Sequence, residues 1–170
     1  MVEMMISYLN KILGVLIDTR RLDVGVPPDY IKKMLALLRP FHQHRKSFTV
    51  KEMERITGML VFIAGTAPWL KFLMPHVYTS VAVAIGDNTS HLRKTNKQFL
   101  QMLKEAKTPG PPTRTSTFAQ AETARAVHSY PKKHWINRTL KEELHLITRA
   151  LESRRLQLHT PIGHWPLDTP

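Results

Sequence analysis

The sequence predicts a mainly α protein: an N-terminal β-hairpin, a bundle of helices, a basic helix, a proline-rich linker, and a C-terminal helix with an extended tail. Three observations carry this. Apolar residues recur at helical spacing through residues 28–107 and again through 137–153. Period-two alternation is confined to the first 27 residues. Prolines and glycine crowd residues 109–112, between the two helical regions. At 170 residues, 42% of them hydrophobic, the chain has the material for one core of ordinary size.

The hairpin is read from "NKILGVLIDTRRLDVGVPPDY", residues 10–30. Ile12, Val15 or Leu16, and Ile17 form a first strand. Asp18, Thr19, Arg20 and Arg21 turn the chain, and Leu22, Val24 and Val26 alternate along a second. A lone two-stranded hairpin is marginal in water, so this one needs a surface to lean on. Pro27 and Pro28 end the strand and open a helix over 29–39, with Tyr30, Ile31, Met34, Leu35, Leu37 and Leu38 at helical spacing. Pro40 is expected to stop it, and a basic connector, "FHQHRKS", follows.

"TVKE" predicts the next helix start: the Thr49 hydroxyl can cap free amides while Glu52 bonds back to the cap. Met53, Ile56, Leu60 and Ile63 share one face. "GTAP" ends that helix, and Pro68 is expected to begin a third, ending at Gly86, with Trp69, Phe72 and Tyr78 in its apolar surface. "DNTS" offers caps for a basic helix to residue 107, anchored by Leu92, Phe99 and Leu103. Residues 108–131 read as a linker, with at most a helical turn or two in "AETARAVHS". In "NRTLKEELHLITRALES", Thr139 and Glu142 repeat the capping-box spacing, and Leu140, Leu144, Ile147 and Leu151 make a stripe. An extended, proline-rich tail follows. The expected units are therefore 1–27, 28–107, the linker 108–131, and 132–170.

Charge narrows the function. The net charge is +12, with ten basic and four acidic residues in 41–107 and nine and five in 108–170. A basic field spread this way favours polyanions, nucleic acid ahead of membrane. The longest apolar run, "GMLVFIAGTAPWL", has 13 residues, against about 20 for a membrane span. There is no cysteine, which excludes disulfides and fits a reducing, intracellular location, cytoplasm or nucleus.

No catalytic constellation is visible. No phosphate loop, H-E-x-x-H or nucleophile elbow occurs. Asp18, Asp23, Asp29, Asp87 and Asp168 are scattered, and the closest histidine pair, His42 and His44, lacks further ligands nearby; His159 and His164 fare no better. No cofactor is expected. Trp135 and Trp165 are not placed by the pattern.

"KILGVLIDTRRLDVGVPPDYIKKMLALL" followed by "KSFTVKEMERITGMLVFIA" resembles the region just after the catalytic palm of retroelement reverse transcriptases, closest to retrotransposon polymerases. There a Leu-Gly-containing primer-grip hairpin leads into a helical thumb. A proline-started helix, a basic connector and a Thr-x-x-Glu-capped helix carrying a glycine, here Gly58, follow in order. The likeness covers residues 10 to about 75, and "WINRTLKEELHLITRAL" resembles the connection toward a ribonuclease H-like domain. The family's paired metal-binding aspartates would lie upstream of residue 1. The resemblance therefore implies a noncatalytic middle piece of a polymerase, whose missing partners would be a palm and a ribonuclease H-like domain. It implies grip-region roles for Leu13 and Gly14, and phosphate contacts for Lys32, Lys33, Lys51 and Arg55 on a template–primer duplex. Arg93, Lys94 and Lys97 join these as candidates from the basic helix, read from charge. The competing expectation is a basic helical protein-interaction module without nucleic-acid function.

Overall fold

The computed structural model describes residues 9–12, 15–19, 22–107, 113–153 and 159–161. It is mainly helical, with an N-terminal antiparallel hairpin, as the sequence predicts. In chain order the elements are β1 (Leu9–Ile12), β2 (Val15–Asp18), β3 (Asp23–Gly25), α1 (Pro28–Gln43), β4 (Ser47–Phe48) and α2 (Val50–Thr66). A 310 helix (Pro68–Leu73) precedes α3 (Pro75–Thr95), α4 (Lys97–Ala106) and α5 (Arg114–His128). Last come β5 (His134–Trp135), α6 (Arg138–Glu152) and β6 (His159–Pro161).

The hairpin is part of a larger sheet. What reads as one strand from Ile12 to Ile17 is divided between β1 and β2, paired Ile12 with Val15, and β3 pairs onward with β6 from the tail. The antiparallel order is β1-β2-β3-β6, so the C-terminal tail covers the edge that the second hairpin strand presents. Val24 and Val26 are buried, and Val26 joins the main helical core. The sheet thus leans on both the bundle and the tail.

Helix α1 passes through Pro40, contrary to expectation, and ends at Gln43. Proline removes one intrahelical hydrogen bond. The last turn is held instead by Phe41, which is buried in the core. Helix α2 starts as predicted: Thr49 N–H donates to Glu52 Oε2 at 2.9 Å, and Glu52 N–H donates to Thr49 Oγ1 at 3.4 Å. Met53, Ile56, Leu60 and Ile63 are all buried.

The helix expected from Pro68 to Gly86 is instead two elements. Pro75 has no N–H, so the ladder breaks before it; the Met74 N–H closes a 310 turn on Lys71 O at 3.3 Å. A period of three replaces 3.6 there, which buries Leu70 and leaves Phe72 83% exposed. Phe72 and Tyr78, expected in the core, lie on the surface. Helix α3 then runs straight through Gly86 and "DNTS" to Thr95, because Ala84, Asn88 and Leu92 are buried one turn apart. The cap of the basic helix α4 is Asn96, which accepts from Phe99 N–H at 3.1 Å.

Most of the expected linker is helix α5. Thr113 and Ser116 cap it reciprocally, and Ala119, Thr123 and Val127 form its buried stripe. These small and polar residues leave almost no hydropathy signal. Helix α6 is capped by Asn137, not Thr139: Asn137 Oδ1 accepts from Leu140 N–H at 2.7 Å, and Glu142 pairs with Arg138 at 2.7 Å instead of capping.

The main core joins α1, α2, the 310 helix, the first half of α3 and α6 around Met34, Leu38, Met53, Leu60, Leu140 and Leu144. A smaller cluster of Leu92, Phe99 and Val127 joins the second half of α3 to α4 and α5. Buried Glu143 of α6 accepts from the free amides of His76 at 3.0 Å and Val77 at 2.8 Å, which locks the start of α3 onto α6.

Candidate nucleic-acid interface

Seven of the nine candidate residues can be placed. Lys32 and Lys33 stand on α1, Lys51 and Arg55 on the first turns of α2, Arg93 and Lys94 on the last turn of α3, and Lys97 at the start of α4. All seven are exposed. Leu13 and Gly14 lie outside the described residues.

The pairing of charges is asymmetric. Among the described residues, Glu52 pairs with Arg45, Glu54 with His128, Asp87 with His134, Glu122 with Arg125, Glu142 with Arg138 and Glu143 with His76. None of these six pairs uses any of the seven candidate cations. Individually such pairs contribute little to stability. Their effect on the field is larger: the three arginine partners cancel acidic charge locally, the histidine partners do so only when protonated, and none of the six pairs draws on a candidate cation.

Contacts between elements bring some of the candidates together. Glu54, between Lys51 and Arg55 on α2, pairs with His128 at the end of α5. The adjacent Val127 packs with Leu92 and Phe99, which flank the Arg93–Lys97 segment. The α2 pair and the α3–α4 trio therefore stand on elements that both meet the end of α5. Lys32 and Lys33 lie elsewhere: Tyr30 packs against Phe62, the rings tilted with centroids 4.6 Å apart, which sets the start of α1 level with the far end of α2.

The cap of α2 also fixes the basic connector. Burial alone would raise the Glu52 carboxyl, but hydrogen bonds from Arg45 and Thr49 and the Arg45 charge outweigh it and lower its pKa. Arg45 lies over the Phe41 ring at 4.9 Å and donates to Ser47 O at 2.9 Å. It is thereby built into the α1–α2 junction rather than left for a ligand.

The two histidines of "HQH" separate. His44 is exposed. His42 bonds through Nε2 to Thr148 Oγ1 at 2.6 Å, and its Nδ1 lies 3.4 Å from Nδ1 of His145. Burial and the neighbouring His145 lower the His42 pKa, opposed by Glu152. The pair lines an open groove of about 510 Å3 with Arg138, Lys141 and Leu146. Among the described residues no three His, Asp or Glu side chains converge as a metal site. The His42–His145 approach spans 103 residues of sequence, and nothing local announces it. Trp135, unplaced by sequence, is 77% exposed.

Fold and surface thus define a basic, mainly α protein in which, among the described residues, none of the seven candidate cations enters an ion pair. No protein-family model, curated protein or solved structure matches the chain. Among the described residues no helix is long and apolar enough to cross a membrane.

Proposed function

We propose that this chain is a noncatalytic, post-palm piece of a retroelement reverse transcriptase that holds nucleic-acid duplex by its backbone, without reading sequence. The observation that carries the reading is the charge asymmetry: six described acidic side chains pair with Arg or His, while Lys51, Arg55, Arg93, Lys94 and Lys97 are exposed, enter none of those pairs, and stand on elements that meet the end of α5. The order of elements supports it as well: a β-ribbon, a proline-started helix, a basic connector, then a Thr49–Glu52-capped helix. Phosphate contact requires only positive groups matched to the backbone, and such binding weakens steeply with salt.

The test is fluorescence anisotropy of the full chain with labelled duplexes of two unrelated sequences across a salt series. Equal affinities for both sequences are expected. Neutralising five phosphates corresponds to a slope of log affinity against log salt of about −4.5. K51E/R55E and R93E/K94E/K97E should each flatten it. An affinity that does not respond to salt, or incorporation of nucleotides on a primer–template with divalent metal, would sink the reading.

The second reading, a protein-interaction module, has its own observation: Phe72 and Phe118 are 83% and 68% exposed. A stable hetero-complex abolished by F72A or F118A, with no retention of duplex, would favour it.

A further inference from the structure

The ribbon of β4 and β5 carries a surface that the duplex reading does not use. Its register pairs Phe48 with His134 and Ser47 with Trp135. Alternation sends His134 inward, where it is buried and its ring lies 5.8 Å from that of Phe48. Buried Asn88 fixes it further, accepting from His134 Nε2 at 2.9 Å while its own amide donates to Val127 O at 3.0 Å. A strand whose inward residue is held at these points presents its next residue, Trp135, outward on a rigid base. Ile136 N–H donates to Lys46 O at 2.9 Å and secures the other side.

Trp135 overhangs a groove of about 320 Å3 between β5 and α3, lined also by Thr79, Ser80, Val83 and Asn137. Val83 is itself 59% exposed. The groove therefore combines an indole face, an aliphatic wall, and hydroxyl and amide groups. Lys132 and Lys133 precede the strand, are exposed, and enter no ion pair among the described residues. The acid of the groove, Asp87, faces His134 Nδ1 at 3.7 Å.

We propose that this groove binds an unpaired stretch of nucleic acid, with a base stacked on Trp135 and its phosphates against Lys132 and Lys133. Exposed aromatics beside cations are the pattern of single-strand binding, because every base has a stackable face and the backbone is anionic. A duplex does not suit the groove, since its bases are already stacked on each other. An acidic peptide would satisfy the lysines but has no use for the indole.

The experiment is anisotropy of the full chain with a labelled 12-residue oligothymidine and, in parallel, a 12-base-pair duplex. W135A should weaken oligothymidine binding about tenfold and W135F by less than threefold, since a phenyl ring still stacks. K132E/K133E should reduce the salt slope for the single strand by about 1.4. Duplex affinity should be unchanged in W135A and fall in K51E/R55E. Because Trp135 is mostly exposed, an unchanged thermal transition is expected in every Trp135 variant. The proposal is overturned if W135A shifts single-strand affinity by less than twofold, or weakens duplex and single strand equally. It also falls if a 12-residue polyglutamate binds as tightly as oligothymidine. Failure of duplex binding with the W135A effect intact would remove the duplex reading and leave this one standing.

Discussion

Helix α3 joins two clusters of very unequal depth. Around its first half, twenty buried hydrophobic residues of α1, α2, the 310 helix, α6 and their flanks form one continuous core among the described residues. Around its second half, only Leu92, Phe99 and Val127 are buried together, with Ile85, Leu103, Ala126 and Tyr130 partly so. The first region is held by area removed from water. The second depends on a few anchors and on the Asn88 latch to β5 and α5. The candidate cations divide along the same line, with Lys51 and Arg55 on the deep core and Arg93, Lys94 and Lys97 on the shallow one. The shallow region is therefore expected to open first and to make the more adaptable half of any phosphate-binding surface.

The strongest way to break the comparison is Leu60→Ala, at the centre of the deep core. It should lower global stability by about 3–4 kcal/mol, read from the urea midpoint at unchanged m-value. Phe99→Ala removes the main anchor of the shallow cluster and should lower local stability by about 3 kcal/mol, seen as lost amide protection in α4 and α5. Protection in α2 and α6 should hardly move. If both variants deprotected every helix equally, the two clusters would be one cooperative unit.

Asn88→Ala should cost about 2 kcal/mol by leaving His134 and the Val127 carbonyl without their buried partner. The same latch sets a pH dependence. Burial, aided by Lys132 and opposed by Asp87, lowers the His134 pKa from 6.5, and His42 is lowered in the same direction. A histidine with a depressed folded pKa is kept neutral by the fold, so the unfolded chain binds the extra proton. Stability is then full above 6.5 and declines as pH falls through the folded pKa. A urea midpoint that falls between pH 7.5 and 5, with a shallower fall in His134→Gln, is the expected result.

The depth of each region also governs how well it can be read from sequence. The stripes Met53–Ile63 and Leu140–Leu151 are large, aliphatic and regular, and both are buried as their spacing implies. Helix α5 hides behind Ala119 and Thr123, residues whose burial depends on close approach by neighbours rather than on their own hydropathy. Asn88 reads as a cap candidate until β5 and α5, 46 and 39 residues away, supply its partners. Exposure of the candidate lysines follows from composition, but their grouping around the α5 terminus rests on the Glu54–His128 pair, a tertiary contact. Trp135 is legible only once the β4–β5 register is known.

Pro40 offers the smallest and most pointed test of how far packing overrides local preference. It is exposed on α1, and its missing N–H leaves the Ala36 carbonyl without its usual helical donor. The turn persists because the next residue, Phe41, is only 2% exposed and belongs to the deep core. Replacing Pro40 by Ala restores the donor and relieves the ring's crowding of that carbonyl. It also frees the unfolded chain, which offsets about 1 kcal/mol of the gain. A net stabilisation of about 1–2 kcal/mol is expected, confined to the deep region and read as a higher urea midpoint with α4–α5 protection unchanged. Destabilisation by Pro40→Ala would mean that the proline sets a bend which Phe41 needs in order to reach the core.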